Sequence, residues 1–125
     1  MRHLLDTHIL LWLMCEPHKI KEDICICLKS DHNELFVSSV SLWEILVKAS
    51  LGKYLLPESF LDDVLRSNVQ ILDIAIAALR AIQHLPYHHK DPFDRMIIAQ
   101  AITEKLTLVT HDVNLTAYDA KIILA

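Results

Sequence analysis

The chain has 125 residues, 53% of them hydrophobic, and a formal net charge of −4 from 12 Lys and Arg against 16 Asp and Glu. This length predicts one domain and buries about two-thirds of the surface of the unfolded chain, so folding needs no disulfide or structural metal. The aliphatic content excludes an intrinsically disordered chain, the acidic balance disfavours a simple basic grip on nucleic acid, and a single glycine, Gly52, excludes a Rossmann or Walker-type phosphate loop.

In chain order, His3–Leu5 reads as a short apolar strand ending at Asp6, followed by helical spacing over Thr7–Met14. Lys19–Lys29 reads as an amphipathic helix with Ile20, Ile24, Cys27 and Leu28 on one face. Leu35–Val37 is a second strand and Ser41–Ala49 a helix, with Ser41 and Glu44 in capping-box spacing and Gly52 beyond the last turn as a left-handed cap. Glu58–Arg66 is a helix entered through Pro57, Val69–Leu72 a third strand and Ile74–Ile82 a further helix. Asp91 then caps a helix with Pro92 at its first position, running to about Glu104, before strands at Leu106–Val109 and Lys121–Leu124. The apolar run Ile9–Cys15 is only seven residues, against the ~18 or more of a spanning helix, and no signal-peptide cleavage pattern follows it. Cys15, Cys25 and Cys27 are expected to be buried free thiols in a reducing cytoplasm. A metal pair at Cys25 and Cys27 is the alternative, but no second Cys/His pair stands at zinc-finger spacing.

Strands alternating with helices predict an α/β fold, a short parallel sheet of about five strands covered by helices on both faces. Ligands of such sheets bind beyond the carboxyl ends of the strands. Four acids fall at that rim: Asp6 after the first strand, Glu44 one turn into the helix after the second, Asp94 in the first turn of the helix before the fourth, and Asp112 just after the fourth. Each taken alone is explained by capping or by the helix dipole. Together they form a like-charge cluster, and two charges ~4 Å apart repel by about 4 kcal/mol at an effective dielectric of 20. Lys48, Lys53, Lys90 and Arg95 are candidates to offset this, and a divalent cation does so better. Oxygen-only ligands suit Mg²⁺ or Mn²⁺, and such ions support phosphodiester hydrolysis.

Four stretches then carry a family resemblance: Leu-Leu-Asp-Thr-His at 4–8, Val-Ser-Ser-Val-Ser-Leu-Trp-Glu-Ile at 37–45, His-Lys-Asp-Pro-Phe-Asp-Arg-Met-Ile-Ile-Ala-Gln-Ala at 89–101, and Leu-Thr-Leu-Val-Thr-His-Asp at 106–112. In order and spacing they resemble PIN-domain ribonucleases, above all the VapC-type toxins of toxin–antitoxin pairs. The resemblance implies a single PIN-like domain over residues 1–125, a three-layer sandwich. It implies Asp6, Glu44, Asp94 and Asp112 as metal-site acids holding Mg²⁺ or Mn²⁺. Thr7 and Thr110 resemble the small polar residues that flank those acids. Asp91 is assigned mainly to capping, with a supporting role at the site as the alternative. Arg95 is expected to face either a phosphate or a neighbouring acid, and Ser38 and Ser39 are undecided. The implied partners are an RNA substrate, a cognate antitoxin protein and a second copy in a homodimer, with no membrane. Trp12, Trp43, Leu46 and Leu51 are candidates to line an antitoxin groove, with ordinary core packing as the alternative. His8, His88, His89 and His111 also lie near the rim and are expected to face solvent or pack, so none is named catalytic.

Three functions are thereby in view. The first is a metal-dependent endoribonuclease. The second is a non-catalytic RNA- or antitoxin-binding domain on the same fold, whose discriminating sign, a missing acid, is not found here. The third is an aspartyl phosphotransfer domain, disfavoured because Asp-Thr-His at 6–8 lacks an Asp-x-Asp pattern.

Overall fold

Five parallel strands, β1 (Arg2–Leu5), β2 (Glu34–Ser38), β3 (Val69–Leu72), β4 (Thr107–Thr110) and β5 (Ile122–Leu124), lie in the order β3-β2-β1-β4-β5 in the computed structural model, which describes residues 1–125. Six α-helices connect them: α1 (Thr7–Cys15), α2 (Glu22–Lys29), α3 (Ser39–Ser50), α4 (Phe60–Arg66), α5 (Ile76–Ile82) and α6 (Pro92–Thr103). Short 3-10 turns occupy Pro17–Lys19 and Val113–Ala117. The expected α/β architecture is the one found.

Period-two alternation on the central strand divides the core. Leu5 pairs in register with Val37 and Val109, and all three enter a cluster with Ile9 and Leu10 of α1, Ile45 of α3 and Val64 of α4. Leu4, in register with Leu108, faces the other way into a cluster with Ile97 and Ile98 of α6, Leu115 and Tyr118. Both faces of β1 are therefore dry at Leu4 and Leu5, as in a central strand covered on both sides. No helix is long and apolar enough to cross a membrane.

Several boundaries differ from the sequence expectation. The helix expected over 19–29 is broken: a 3-10 turn ends at Lys19, Ile20 is extended and buried, and α2 starts only at Glu22. Leu28 is the one buried residue of α2, so Cys27 is exposed and Cys25 half-buried; Cys15 is exposed too, and all three are free rather than buried thiols. The Ser41–Glu44 capping box does not form. β2 runs on to Ser38, whose hydroxyl accepts from Val40 N at 3.0 Å and caps α3 three residues earlier than expected. Ser41 and Glu44 are thereby carried into the helix interior, and both are buried. α4 begins at Phe60 and α5 at Ile76, each two residues later than expected.

The end of α3 follows the expected pattern. Gly52, at φ +78°, donates to Ala49 O at 3.0 Å while Lys53 donates to Lys48 O at 2.9 Å, the paired bonds of a Schellman cap. α6 ends with the same pair of bonds, Lys105 to Ile102 O and Leu106 to Ala101 O, but the left-handed position (φ 55°) is filled by Lys105.

His3 is 1% exposed on β1, and neither ring nitrogen has a hydrogen-bond partner. Burial, with the N-terminal ammonium and Lys121, holds its pKa below the ordinary 6.5. The folded state thus binds the proton less readily than the unfolded chain, and His3 withdraws stability as pH falls below about 6.5. His3→Leu is expected to raise stability more at pH 5 than at pH 8, checked by chemical denaturation at both pH values.

Candidate metal centre

The carboxyl ends of β1 and β4 are joined by one hydroxyl. Thr110 Oγ1 donates to Asp6 Oδ2 at 2.6 Å and accepts the Asp112 N–H at 3.1 Å. Asp6 caps α1, its Oδ1 accepting from Thr7 N at 2.7 Å, and is 4% exposed. Thr7 reaches the other way. Its Oγ1 donates to Glu44 Oε1 at 2.8 Å and lies 3.0 Å from Ser41 Oγ, tying α1 to α3. The second Glu44 oxygen accepts from Lys48 Nζ at 2.6 Å, a buried carboxylate paired one turn along its own helix. That bond holds the Lys48 ammonium above its usual pKa.

α6 brings the next acid. Asp91 is its N-cap, accepting from Phe93 N at 2.8 Å and Asp94 N at 3.1 Å, with Pro92 at the first position. This turns Asp94 into the rim, facing Asp112, which itself caps the 113–117 turn through Asn114 N. His89 stands between the two, its Nε2 3.4 Å from Asp94 Oδ2 and 3.4 Å from Asp112 Oδ2. Its Nδ1 accepts the Asp91 N–H at 3.1 Å, so the ring proton sits on Nε2, aimed at the carboxylates. With the Nε2 proton displaced, His89, Asp94 and Asp112 would each offer a metal-ligating atom within 4.8 Å of the others.

Burial, with crowding, raises two of the acids. Asp94 is pushed up to about 7, first by burial and then by the charges of Asp6, Asp91, Glu44 and Asp112. Burial also raises Asp6, against the two hydrogen bonds from Thr110 and Thr7 that favour its charged form. His8 is lowered by burial and by His111. The donor set fits a hard divalent cation. Each Asp6 oxygen keeps a free lone pair after its one hydrogen bond, and Asp94 has no cation beside it. A proton or a metal ion relieves the same repulsion.

All four acids named from the sequence stand at this rim, Asp94 and Asp112 through His89, Asp6 and Glu44 through Thr7. Arg95 does not face a phosphate or an acid. It is 6% exposed, donating to Pro86 O at 2.9 Å and Leu85 O at 3.2 Å, with its guanidinium 3.9 Å over the Tyr87 ring. One turn of helix past the cap rotates it away from Asp94 and under the 84–90 loop. Tyr118 Oη, 3.4 Å from Arg95, accepts the His89 N–H, so the same cluster fixes the loop that carries His89. His89, expected from the sequence to face solvent or pack, instead stands between two rim acids. Its signal is a histidine two residues before a capping aspartate, placed to accept that aspartate's own N–H.

Trp43, Leu46 and Leu51 are exposed at 62%, 44% and 67%, which excludes the core alternative. Trp43 packs edge-on to Phe93 at 5.2 Å. Trp12 lines a separate groove.

The PIN domain family model matches residues 3–121. No curated protein matches the chain. Among solved structures, the chain is similar to VapBC2 from Rickettsia felis, bound to a DNA fragment from its promoter, at 20% identity and TM-score 0.77, covering 99% of this chain and 98% of that one. It is similar also to VapBC-1 from nontypeable Haemophilus influenzae (22%, TM-score 0.69, 99% and 98%) and to DNA-bound VapBC from Salmonella typhimurium (22%, TM-score 0.69, 98% and 97%). These likenesses establish the fold.

Two outcomes are expected. Because the folded-state pKa of Asp94 lies above its ordinary value of 3.8, metal-free protein loses stability as pH rises from about 4 to about 7. Asp94→Asn should therefore stabilise metal-free protein at pH 8, on the order of 1–3 kcal/mol, with the gain vanishing near pH 4 in thermal melts. Arg95→Met should destabilise by about 2–4 kcal/mol at any pH, since it strands two loop carbonyls, and urea titration reads it directly.

Proposed function

The chain belongs to the PIN-domain family, and from that premise we propose that it is a Mg²⁺- or Mn²⁺-dependent endoribonuclease, the toxin of a toxin–antitoxin pair. The observation that carries this reading is Asp94, an acid pushed up to about 7 by burial and then by the charges of Asp6, Asp91, Glu44 and Asp112, with no Lys or Arg beside it. Its neighbour Glu44 has such a cation in Lys48, so the deficit of positive charge is local to Asp6, Asp94 and Asp112. These three, with Glu44 behind them, are the proposed metal ligands.

A divalent ion held there lowers the pKa of water and stabilises the leaving oxygen of a phosphodiester. The chain's own residues do the rest. Thr7 and Thr110 hold Asp6 in one rotamer, each through a separate carboxylate oxygen. Lys48 holds Glu44 in place. His89 bridges Asp94 and Asp112 and can carry a proton at Nε2 to or from the rim. The apolar walls of both core clusters exclude water from the far side of the acids. The second subunit and the antitoxin belong to the same reading, supported by the likeness to VapBC complexes.

The test is cleavage of single-stranded RNA with Mg²⁺, with excess chelator and with Asp6→Asn. Cleavage is expected only for the unaltered chain with metal, with a loss of at least about 100-fold in Asp6→Asn. Asp6→Asn protein that melts normally yet cleaves at full rate would remove the proposed site.

A further inference from the structure

Beside the acid rim runs a groove of about 700 Å³, between α1 and the segment after α3. Four rings line it, beside Leu11, Leu55 and Leu56 and the carboxylate of Glu16. His8 lies 5.1 Å from His111 and 6.4 Å from Tyr54, edge-on in both cases, and Trp12 lies 4.8 Å from His111. Lys19 and Lys53 stand among its lining residues. Lys19 pairs with Glu16 at 2.8 Å, whereas Lys53 makes no ion pair. None of the four rings is used by the chemistry proposed above.

The groove adjoins the rim at His8, which lies close enough to feel the charges of Asp6 and Glu44. His8 is two residues past Asp6, and His111 immediately precedes Asp112. A strand of nucleic acid whose phosphate lies at the acids must send its neighbouring nucleotide somewhere, and this groove is what adjoins. Its chemistry suits that occupant. Unpaired bases stack on aromatic faces whatever their sequence, and a free ammonium suits the next phosphate. The exposed His111 ring, backed by half-buried Trp12, is a platform with one face open. An acidic chain of net charge −4 that puts an unpaired lysine at the mouth of an aromatic groove has a place for one anionic, ring-bearing ligand there.

We infer that this groove is a nucleobase subsite, taking one unpaired base of a single-stranded RNA against His111, Trp12 and Tyr54, with Lys53 on an adjacent phosphate. The inference rests on the ribonuclease reading for its substrate class. It predicts that the protein selects unpaired over duplex RNA next to the cleaved bond, since a stacked, paired base cannot enter the groove.

Trp43→Phe leaves Trp12 as the sole tryptophan and reporter. In that background, with Mg²⁺, an adenylate hexamer is expected to quench Trp12 fluorescence, and an abasic ribose-phosphate hexamer is not. Tyr54→Ala and His111→Ala should each weaken hexamer binding by about 5- to 100-fold and raise KM rather than lower kcat. Lys53→Ala should weaken both hexamers and flatten the salt dependence. Equal binding of the two hexamers, or ring variants with unchanged Kd and KM, overturns the subsite. So does quenching by an amphipathic helical peptide but not by RNA, which makes the groove a protein-docking face. Quenching without cleavage keeps the subsite and removes the nuclease. Cleavage without quenching does the reverse.

Discussion

Asp6, Glu44, Asp94 and Asp112 repel one another across the carboxyl end of the sheet, and the side chains around them share out that cost unevenly. Two like charges ~4 Å apart oppose each other by about 4 kcal/mol at an effective dielectric of 20, a large fraction of a small domain's net stability. Glu44 is relieved by Lys48 and Asp6 by two strong hydrogen bonds. Asp94 receives no comparable relief beyond a histidine at 3.4 Å and rises to about 7. The rim is thus held together by everything around it except its own charge, and that imbalance gives it an appetite for a cation.

Holding such a rim requires support from outside it. Arg95 and Tyr118 supply this for the 84–90 loop, through carbonyl acceptors, the stacked Tyr87 ring and the His89 N–H. A guanidinium one residue from a site acid invites a reading as a phosphate contact. Its burial and its carbonyl partners show a residue that works on the loop instead.

The architecture was legible because its signals are local. Apolar runs of three to five residues between helical periods announce strands buried on both faces, and Pro92 and Gly52 punctuate helices where their backbone limits demand. Boundaries failed where tertiary contacts overrule such rules. Ser38 and Ser41 are both good caps, and only the extension of β2 to Ser38 selects between them. The placement of the acids followed from the carboxyl ends of the strands, whereas the role of His89 did not, because it depends on a turn that folds its ring back onto Asp91 N and toward two acids from distant segments. The orientation of Arg95 was equally closed to sequence, since one residue of helical rotation decides it.

The bond from Thr110 to Asp6 joins residues 104 positions apart. The central strand β1 is made well before its β4 partner. Contacts so distant in sequence form late and slow folding, even though doubling a loop adds only about 0.6 kcal/mol of closure cost. A growing chain can assemble the α1–α4 side of the core around β1 and β2 while Asp112 does not yet exist. Whatever chemistry the rim performs is therefore withheld until β4 and Asp112 are made, and a polypeptide ended before them lacks the fourth acid. The order of strands in the sheet acts as a clock on the arming of the protein.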